Sequence, residues 1–239
     1  MNHRSALPLL AFLVAITAPA AAVEFPVNTD LAYQLERSGV TLGTMERSIS
    51  REEASRGSEF RVESVARPEG MARLLFRGET REIARFELID GAIRPLYYRY
   101  RQRTGKEKDY ELTFHWDEMR VEESHSGEEW ALMEDAQDTL SSQFAIMHGL
   151  EQGGRSFRFT LVDEDGPDKE YHYMVVGREP VETPAGTFSA IKVRQMREDP
   201  DKRHNIFWLA EEFGYLPVHS EERRNGRRTM VLTLTRAPD

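Results

Sequence analysis

Cysteine is absent from all 239 residues. That excludes disulfides, thiol nucleophiles and thiolate metal sites. It also excludes the lipid-bearing cysteine of a bacterial lipoprotein. Lysine is scarce: Lys106, Lys108, Lys169, Lys192 and Lys202 are the complete set, and the other cations are arginine. We read that as compositional bias rather than an interaction signal. After residue 22 no stretch is apolar enough to span a bilayer, which takes ~20 consecutive apolar residues. Positive charge is in deficit, with 32 basic against 41 acidic residues and a net charge of −9. A net acidic chain is a poor partner for nucleic acid or anionic lipid heads. Fixed-period repeats are missing, as is any alternation of strands with long helices, so solenoid and Rossmann architectures fall away.

What is present begins with a leader. His3 and Arg4 give a polar start, Leu7 to Ala18 an apolar stretch, and Ala20-Ala21-Ala22 a small-residue cleavage site. This pattern predicts a secretory signal over residues 1–22, cut near Ala22, with export to the periplasm. Residues 23–239 then form one β-rich domain, a size compatible with a single core.

Turn chemistry organises the last third. Pro184 and Gly186 make a turn, Pro presetting φ and Gly supplying a positive one. A strand follows from Thr187, then the breaker-rich Arg197 to Arg203, and strands through Asn205–Leu209 and Tyr215–Ser220. Asn225-Gly226 is a strong hairpin signal, and Arg228 to Thr235 returns from it. The result is a four-strand antiparallel meander.

Earlier segments repeat the theme. Leu31–Glu36 and Thr41–Arg51 flank a Ser38-Gly39 turn, Glu52 to Gly57 reads as a charged turn, and Phe60–Val65 as a third strand. Pro68 to Phe76 reads as a short helix from the spacing of Met71, Leu74 and Leu75. Ile83–Ile89 and Ile93–Arg101 flank Asp90-Gly91, another hairpin dipeptide, and Thr104-Gly105-Lys106 turns the chain again. Tyr110, Leu112, Phe114 and Trp116 alternate with polar residues, as a strand with one wet face requires. Met119–Ser124 and Glu129–Met133 continue the meander. Phe157–Leu161 and Tyr171–Val175 flank a loop at Asp163 to Asp168.

One segment breaks the two-residue period. Leu140, Phe144, Met147 and Leu150 recur at helical spacing, Asp138 is placed to cap the helix, and Gly153-Gly154 to stop it. The expected fold is therefore mainly β: a curled antiparallel sheet, half-barrel or barrel, of about a dozen strands with one helix on or in it.

Three stretches together resemble a bacterial family known as domain-of-unknown-function family 3108. They are Pro95-Leu-Tyr-Tyr-Arg-Tyr100 with Phe114-His-Trp-Asp117, the helical Gln137-Asp-Thr-Leu-Ser-Ser-Gln143, and Val181 to Val193 with Leu216-Pro217. The resemblance implies an exported β-rich protein and brings no activity with it. Family members more often carry Asp where this chain has His115, so a role for that carboxylate does not transfer. The expected architecture is also similar to the half-barrel of periplasmic lipoprotein carriers, an analogy of shape alone.

Catalytic signatures are thin. His115, His125, His148, His172, His204 and His219 lack the spacing of a zinc motif, and no metal or other cofactor is expected. No Gly-x-Ser-x-Gly elbow occurs. The acidic loop Asp163 to Asp168 lacks the order and terminal Glu of a calcium loop. With so many carboxylates, a hydrolase-type pair stands as a third reading only. Arg99, Arg101 and Arg103 interleave with Tyr97, Tyr98 and Tyr100, which in an acidic exported protein describes an ordinary strand rather than a nucleic-acid platform. The aromatics either fill the interior or line a ligand cavity. On the second reading Tyr98, Tyr100, Phe114, Trp116, Phe144, Tyr173 and Trp208 form the binding site. The leading expectation is a non-enzymatic periplasmic protein holding an apolar or amphipathic envelope ligand, such as a lipid, or an envelope protein. The alternative is a structural or assembly factor acting by sheet-edge contacts. If the helix borders an open cavity, Phe144→Ala should cost below about 2 kcal/mol, under the usual filled-core loss.

Overall fold

The computed structural model describes residues 25–54, 57–75, 78–103, 107–199 and 201–238. The expected leader, its expected cleavage site and the turn expected at Thr104-Gly105-Lys106 lie outside them. The strands are β1 Thr29–Arg37, β2 Val40–Ala54, β3 Gly57–Pro68, β4 Thr80–Ile89, β5 Ala92–Gln102, β6 Lys108–His115, β7 Arg120–Glu123 and β8 Glu128–Ala131. They continue as β9 Ala136–Gln137, β10 Ser156–Asp163, β11 Gly166–Thr183, β12 Gly186–Met196, β13 His204–Ala210, β14 Leu216–Arg224 and β15 Arg227–Arg236. All fifteen join one sheet. Helix α1 is the single turn Ala72–Leu75, and α2 spans Ser141–Glu151.

The order across the sheet is two meanders spliced in the middle: β8 back to β1, then β15 back to β9, with β1 paired antiparallel to β15. Every ladder is antiparallel except β9 on β10, where α2 supplies the crossover that a parallel pair needs. The sheet curls until its ends approach. Gln137 at one edge donates its side-chain amide to the Ile93 carbonyl of β5 at 2.8 Å. Trp130 on β8 lies against the β10–β11 turn so closely that a Cβ at Gly166 would sit 2.7 Å from the indole. Lys108 bridges to Glu164 at 2.7 Å.

The expected hairpins form at Ser38-Gly39, Asp90-Gly91 and Asn225-Gly226, all with positive φ. Three expectations change. The acidic loop is only a two-residue turn, because Asp163 pairs with Gly166 and Pro167 already lies in β11. That strand runs unbroken to Thr183 over 18 residues, taking a bulge between Val175 and Gly177. The short β9 was invisible to periodicity, two residues being too few for a pattern.

Gly186 has φ of 141° and pairs with Thr183 across a two-residue Pro184-Ala185 turn. Thr183 Oγ1 ties this turn by accepting from the Ala185 amide at 3.1 Å and donating to the Gly186 carbonyl at 3.0 Å. We predict that Gly186→Val lowers unfolding free energy by roughly 1–3 kcal/mol, the scale of a strained backbone position. Urea unfolding of both proteins measures it, and coincident curves would show the position to be unstrained.

Candidate functional site: a lumen behind a buried helix

Helix α2 lies inside the curl rather than on it. Its buried residues, Ser141, Ser142, Phe144, Ile146, Met147, His148 and Leu150, go almost all the way round. Leu140, Phe144 and Met147 meet the β1–β5 wall, where Phe144 packs on Phe25 and Phe86 at 5.4 and 4.8 Å between ring centroids. Ile146 and Leu150 meet the other wall through Phe159, Tyr173, Val193 and Leu209. The expected single apolar face, ending at Leu150, is therefore two faces, with Leu150 on the second.

The buried N-terminus is satisfied locally. Asp138 Oδ1 accepts from the Leu140 and Ser141 amides at 2.8 Å each, and Ser141 Oγ accepts from the Asp138 amide at 2.9 Å. This reciprocal cap satisfies the Leu140 and Ser141 amides, two of the orphan donors of a helix start. The carboxyl has no exposure, and Oδ2 has no partner among the described residues. Burial pushes its pKa up to about 7, against the pull of the Ser141 and Leu140 donors.

Across the sheet in register from the helix start runs a polar row: Arg47 opposite Ser64, Ser64 opposite Glu82, and Glu82 opposite Tyr100. Arg47 Nε donates to Ser64 Oγ at 2.8 Å and one of its terminal nitrogens to Gln143 Oε1 at 2.9 Å. Tyr98 donates its hydroxyl to Glu82 at 3.1 Å. Burial raises the Glu82 pKa, opposed by the Arg47 charge and then the Tyr98 donor. It raises the Tyr98 hydroxyl well above the ordinary phenol range, with the Glu82 charge adding to the effect. On one side of this row the interior is dry and aromatic. On the other it opens.

Two adjoining clefts occupy the open side and share Met230 and Leu232 of β15. The first, about 330 Å³, has Thr139, just before α2, and the helix residues Ser142 and Gln143 for a floor. Its wall is an aromatic file, Tyr171 on Phe159 on Tyr173 on Phe207, with centroid spacings of 6.4, 5.6 and 5.8 Å. The second, about 400 Å³, is lined by Leu35, Leu42, Met45, Ala66, Pro68 and Tyr100, with Glu82 at its base and Arg37 and Arg67 among its charged residues. Two residues lining the first cleft carry a buried donor without an acceptor among the described residues: Nε2 of Gln195, a residue only 3% exposed, and Nε of Arg197; Arg203, Glu221 and Glu222 line the same cleft. The Arg197 guanidinium sits 4.9 Å from the Tyr171 ring.

Of the seven candidate binding residues, the structure brings two to these clefts, Tyr173 to the first and Tyr100 to the second. Tyr98, Phe114 and Phe144 are buried in the main core. Trp116 is half-buried, its indole donating to the Pro95 carbonyl at 2.7 Å. Trp208 packs on His219 and donates to Glu179 at 2.6 Å, away from both clefts. Reading aromatic type alone missed Gln195, Arg197 and the seam residues Met230 and Leu232. Their position two apart from inward neighbours was the available signal.

Among the described residues no cluster of His, Asp and Glu is placed to hold a metal, and no helix is long and apolar enough to cross a membrane. The molecule is thus a barrel-like β protein with an internal helix. Residues 30–233 match the family described as "Protein of unknown function (DUF3108)", and the chain belongs to that family. No curated protein matches the sequence. A β-barrel-like protein of domain of unknown function DUF1849 from Brucella abortus has a similar fold, with a TM-score of 0.50 at 15% identity over 89% of this chain and 98% of that one. A candidate lipoprotein from Parabacteroides distasonis aligns at a TM-score of 0.40 and 11% identity, over 89% and 96% of the two chains.

Two predictions follow from the helix. Phe144 is 1% exposed in the packed end, so Phe144→Ala should cost about 3–5 kcal/mol, the filled-core magnitude, rather than the smaller loss expected beside a cavity. Chemical denaturation decides between the two magnitudes. Asp138 generates a pH dependence. Its folded pKa lies above its ordinary value of 3.8, so its stabilising contribution is full below about pH 4 and falls as pH rises towards 7. Asp138→Asn keeps an oxygen for the Leu140 and Ser141 amides but cannot ionise. The wild type should lose a few kcal/mol relative to the variant between those pH values, at ~1.4 kcal/mol per unit. A constant difference across that range would remove the assignment.

Proposed function

We propose that this chain is a non-enzymatic envelope protein that holds an amphipathic ligand, an acyl chain with an acidic head, in the lumen. Residues 1–22 direct export and are cut near Ala22, leaving the β-rich remainder as one domain in the periplasm. The observation that carries the reading is the pairing of two unpartnered buried donors, Gln195 Nε2 and Arg197 Nε, with an aromatic wall in one cleft. A buried N–H without an acceptor costs about 1–3 kcal/mol, and a carboxylate or phosphate head placed there removes that cost. The file from Tyr171 to Phe207 and the apolar lining of the adjoining cleft suit a hydrocarbon chain. Both volumes fall in the usual range of ~300–1,000 Å³ for ligand sites.

The alternatives have less behind them. An assembly factor working by strand addition needs a long free edge, and the two edge strands here have four and two residues. A carboxylate-pair hydrolase needs two acids facing substrate. Glu221 and Glu222 line the first cleft, but Glu221 is held by Arg223 and Arg228 and Glu222 accepts from Thr229. Glu82 lines the second, and its buried neighbour Asp138 is occupied in capping α2.

Titration of delipidated protein with dansyl-undecanoic acid tests the proposal. Leu232→Trp, which fills the seam, should weaken binding about tenfold or more, worth ~1.4 kcal/mol. Gln195→Leu should weaken the acid but leave the corresponding methyl ester unchanged. Equal binding of acid and ester by the wild type, or unchanged binding by Leu232→Trp, would defeat it.

A further inference from the structure

Three chain reversals sit side by side at the open end, because β15, β1, β2 and β3 are consecutive in the sheet. They are the β14–β15 turn at Asn225-Gly226, the β1–β2 turn at Ser38-Gly39, and the β3–β4 connection that carries α1. The Ser38 amide donates to the Thr229 carbonyl at 3.3 Å and the Glu69 amide to the Leu42 carbonyl at 2.8 Å, tying each reversal to its neighbour. This is the mouth of the lumen, since Arg37, Leu42, Pro68 and Met230 line the second cleft. The most exposed large apolar residues described in the chain fall on these reversals: Val40 at 62%, Met71 at 82% and Leu74 at 75%.

The same sector carries cations without carboxylate partners. Arg67 is paired with Glu46 and Glu79, and Arg223 and Arg228 share Glu221. Arg37, Arg224 and Arg227 are exposed and make no ion pair among the described residues, and Arg73 donates only to the Pro68 carbonyl. Of the nearby acids, Glu36 accepts from Gln34 and Glu69 from Thr44, while Glu222 is engaged by Thr229 and lies 3.7 Å from Arg203. Asp201, whose carbonyl accepts from the Asn225 amide at 2.9 Å, also lies beside the hairpin. Apolar tips ringed by unpaired arginines match a bilayer interface, where side chains enter the acyl boundary and guanidinium groups meet phosphates.

We propose that the open end docks on an anionic phospholipid surface. Val40, Met71 and Leu74 enter the interface, Arg37, Arg73, Arg224 and Arg227 contact headgroups, and the lumen mouth faces the bilayer. The net charge of −9 opposes approach in general, so the attraction has to come from these exposed arginines. The docking surface stands apart from lumen occupancy, although the two together describe a protein that takes its ligand directly from a membrane.

Co-sedimentation with extruded vesicles tests it, comparing about 30% phosphatidylglycerol in phosphatidylcholine with phosphatidylcholine alone. Binding is expected only to the anionic vesicles, falling steeply between about 50 and 500 mM NaCl as screening shortens. The double variants Met71→Glu/Leu74→Glu and Arg224→Glu/Arg227→Glu should each reduce the bound fraction about tenfold, worth ~1.4 kcal/mol of affinity. All variants keep the same N-terminus, so any contribution from residues 1–22 cancels. Both should melt with the wild type and bind dansyl-undecanoic acid unchanged, because the altered side chains are exposed. Equal binding to neutral vesicles, no binding at all, or indifference to both double variants would overturn the proposal. A wild type that ignores vesicles but binds the probe would sink docking and leave the lumen reading standing. Retained vesicle binding by Leu232→Trp with lost probe binding supports docking as a separate property.

Discussion

Helix α2 starts between the walls of its own sheet, and the structure rests on how its buried first amides are met there. Asp138 and Ser141 cap each other in full burial, which lets α2 start deep inside the curl. From there its side chains pack on both walls at once. Helix α2 thereby joins the β1–β5 wall to the β10–β13 wall. A sheet of fifteen strands cannot stay flat, but nothing in its twist alone decides how tightly it closes. The helix lies between the walls, and the Gln137–Ile93 bond and the Trp130–Gly166 contact join the ends at the seam.

The cap also divides the interior. The cross-strand row of Arg47, Ser64, Glu82 and Tyr100 lies beside the helix start and joins it through Gln143. Buried charge is tolerated only where it is paired and hydrogen-bonded, so this row marks the boundary beyond which the interior stays dry. On the dry side Phe25, Phe60, Phe86 and Phe144 pack ring on ring. On the wet side the same strands carry Met45, Ala66, Thr80 and Gln102 inward, smaller or more flexible groups that leave the clefts open. Alternation along β2, β3 and β4 thus encodes plug, floor and lumen at successive inward positions.

Much of the fold was legible because turns and alternation are local. Asn225-Gly226, Asp90-Gly91 and Ser38-Gly39 turn the chain where their φ preferences say they should. Leu140, Phe144 and Met147 announced a helix by spacing alone. The candidate site was legible only in part. Tyr100 and Tyr173 reach the clefts, but Phe144 and Trp208 carry the same apolar signal and lie elsewhere, since aromatic character does not say which side of a wall a ring occupies. Gln195 and Arg197 read as ordinary polar strand residues until burial removed their solvent.

The sequence by itself determined the class of fold, the hairpin positions and the helix α2, because each depends on residues close together in the chain, and its composition alone excluded thiol chemistry. Only the tertiary structure decided that α2 lies inside the sheet, that β1 closes on β15, and that a lumen opens on one side of a buried polar row. It alone gathered Val40, Met71 and Leu74 with the arginines of a distant hairpin at one rim, inside a chain whose overall charge is negative. Those outcomes depend on strand order and register between segments as distant as Ala32 and Arg236. Pairing across that distance is set by the collective burial of both sheet faces, which no local pattern records.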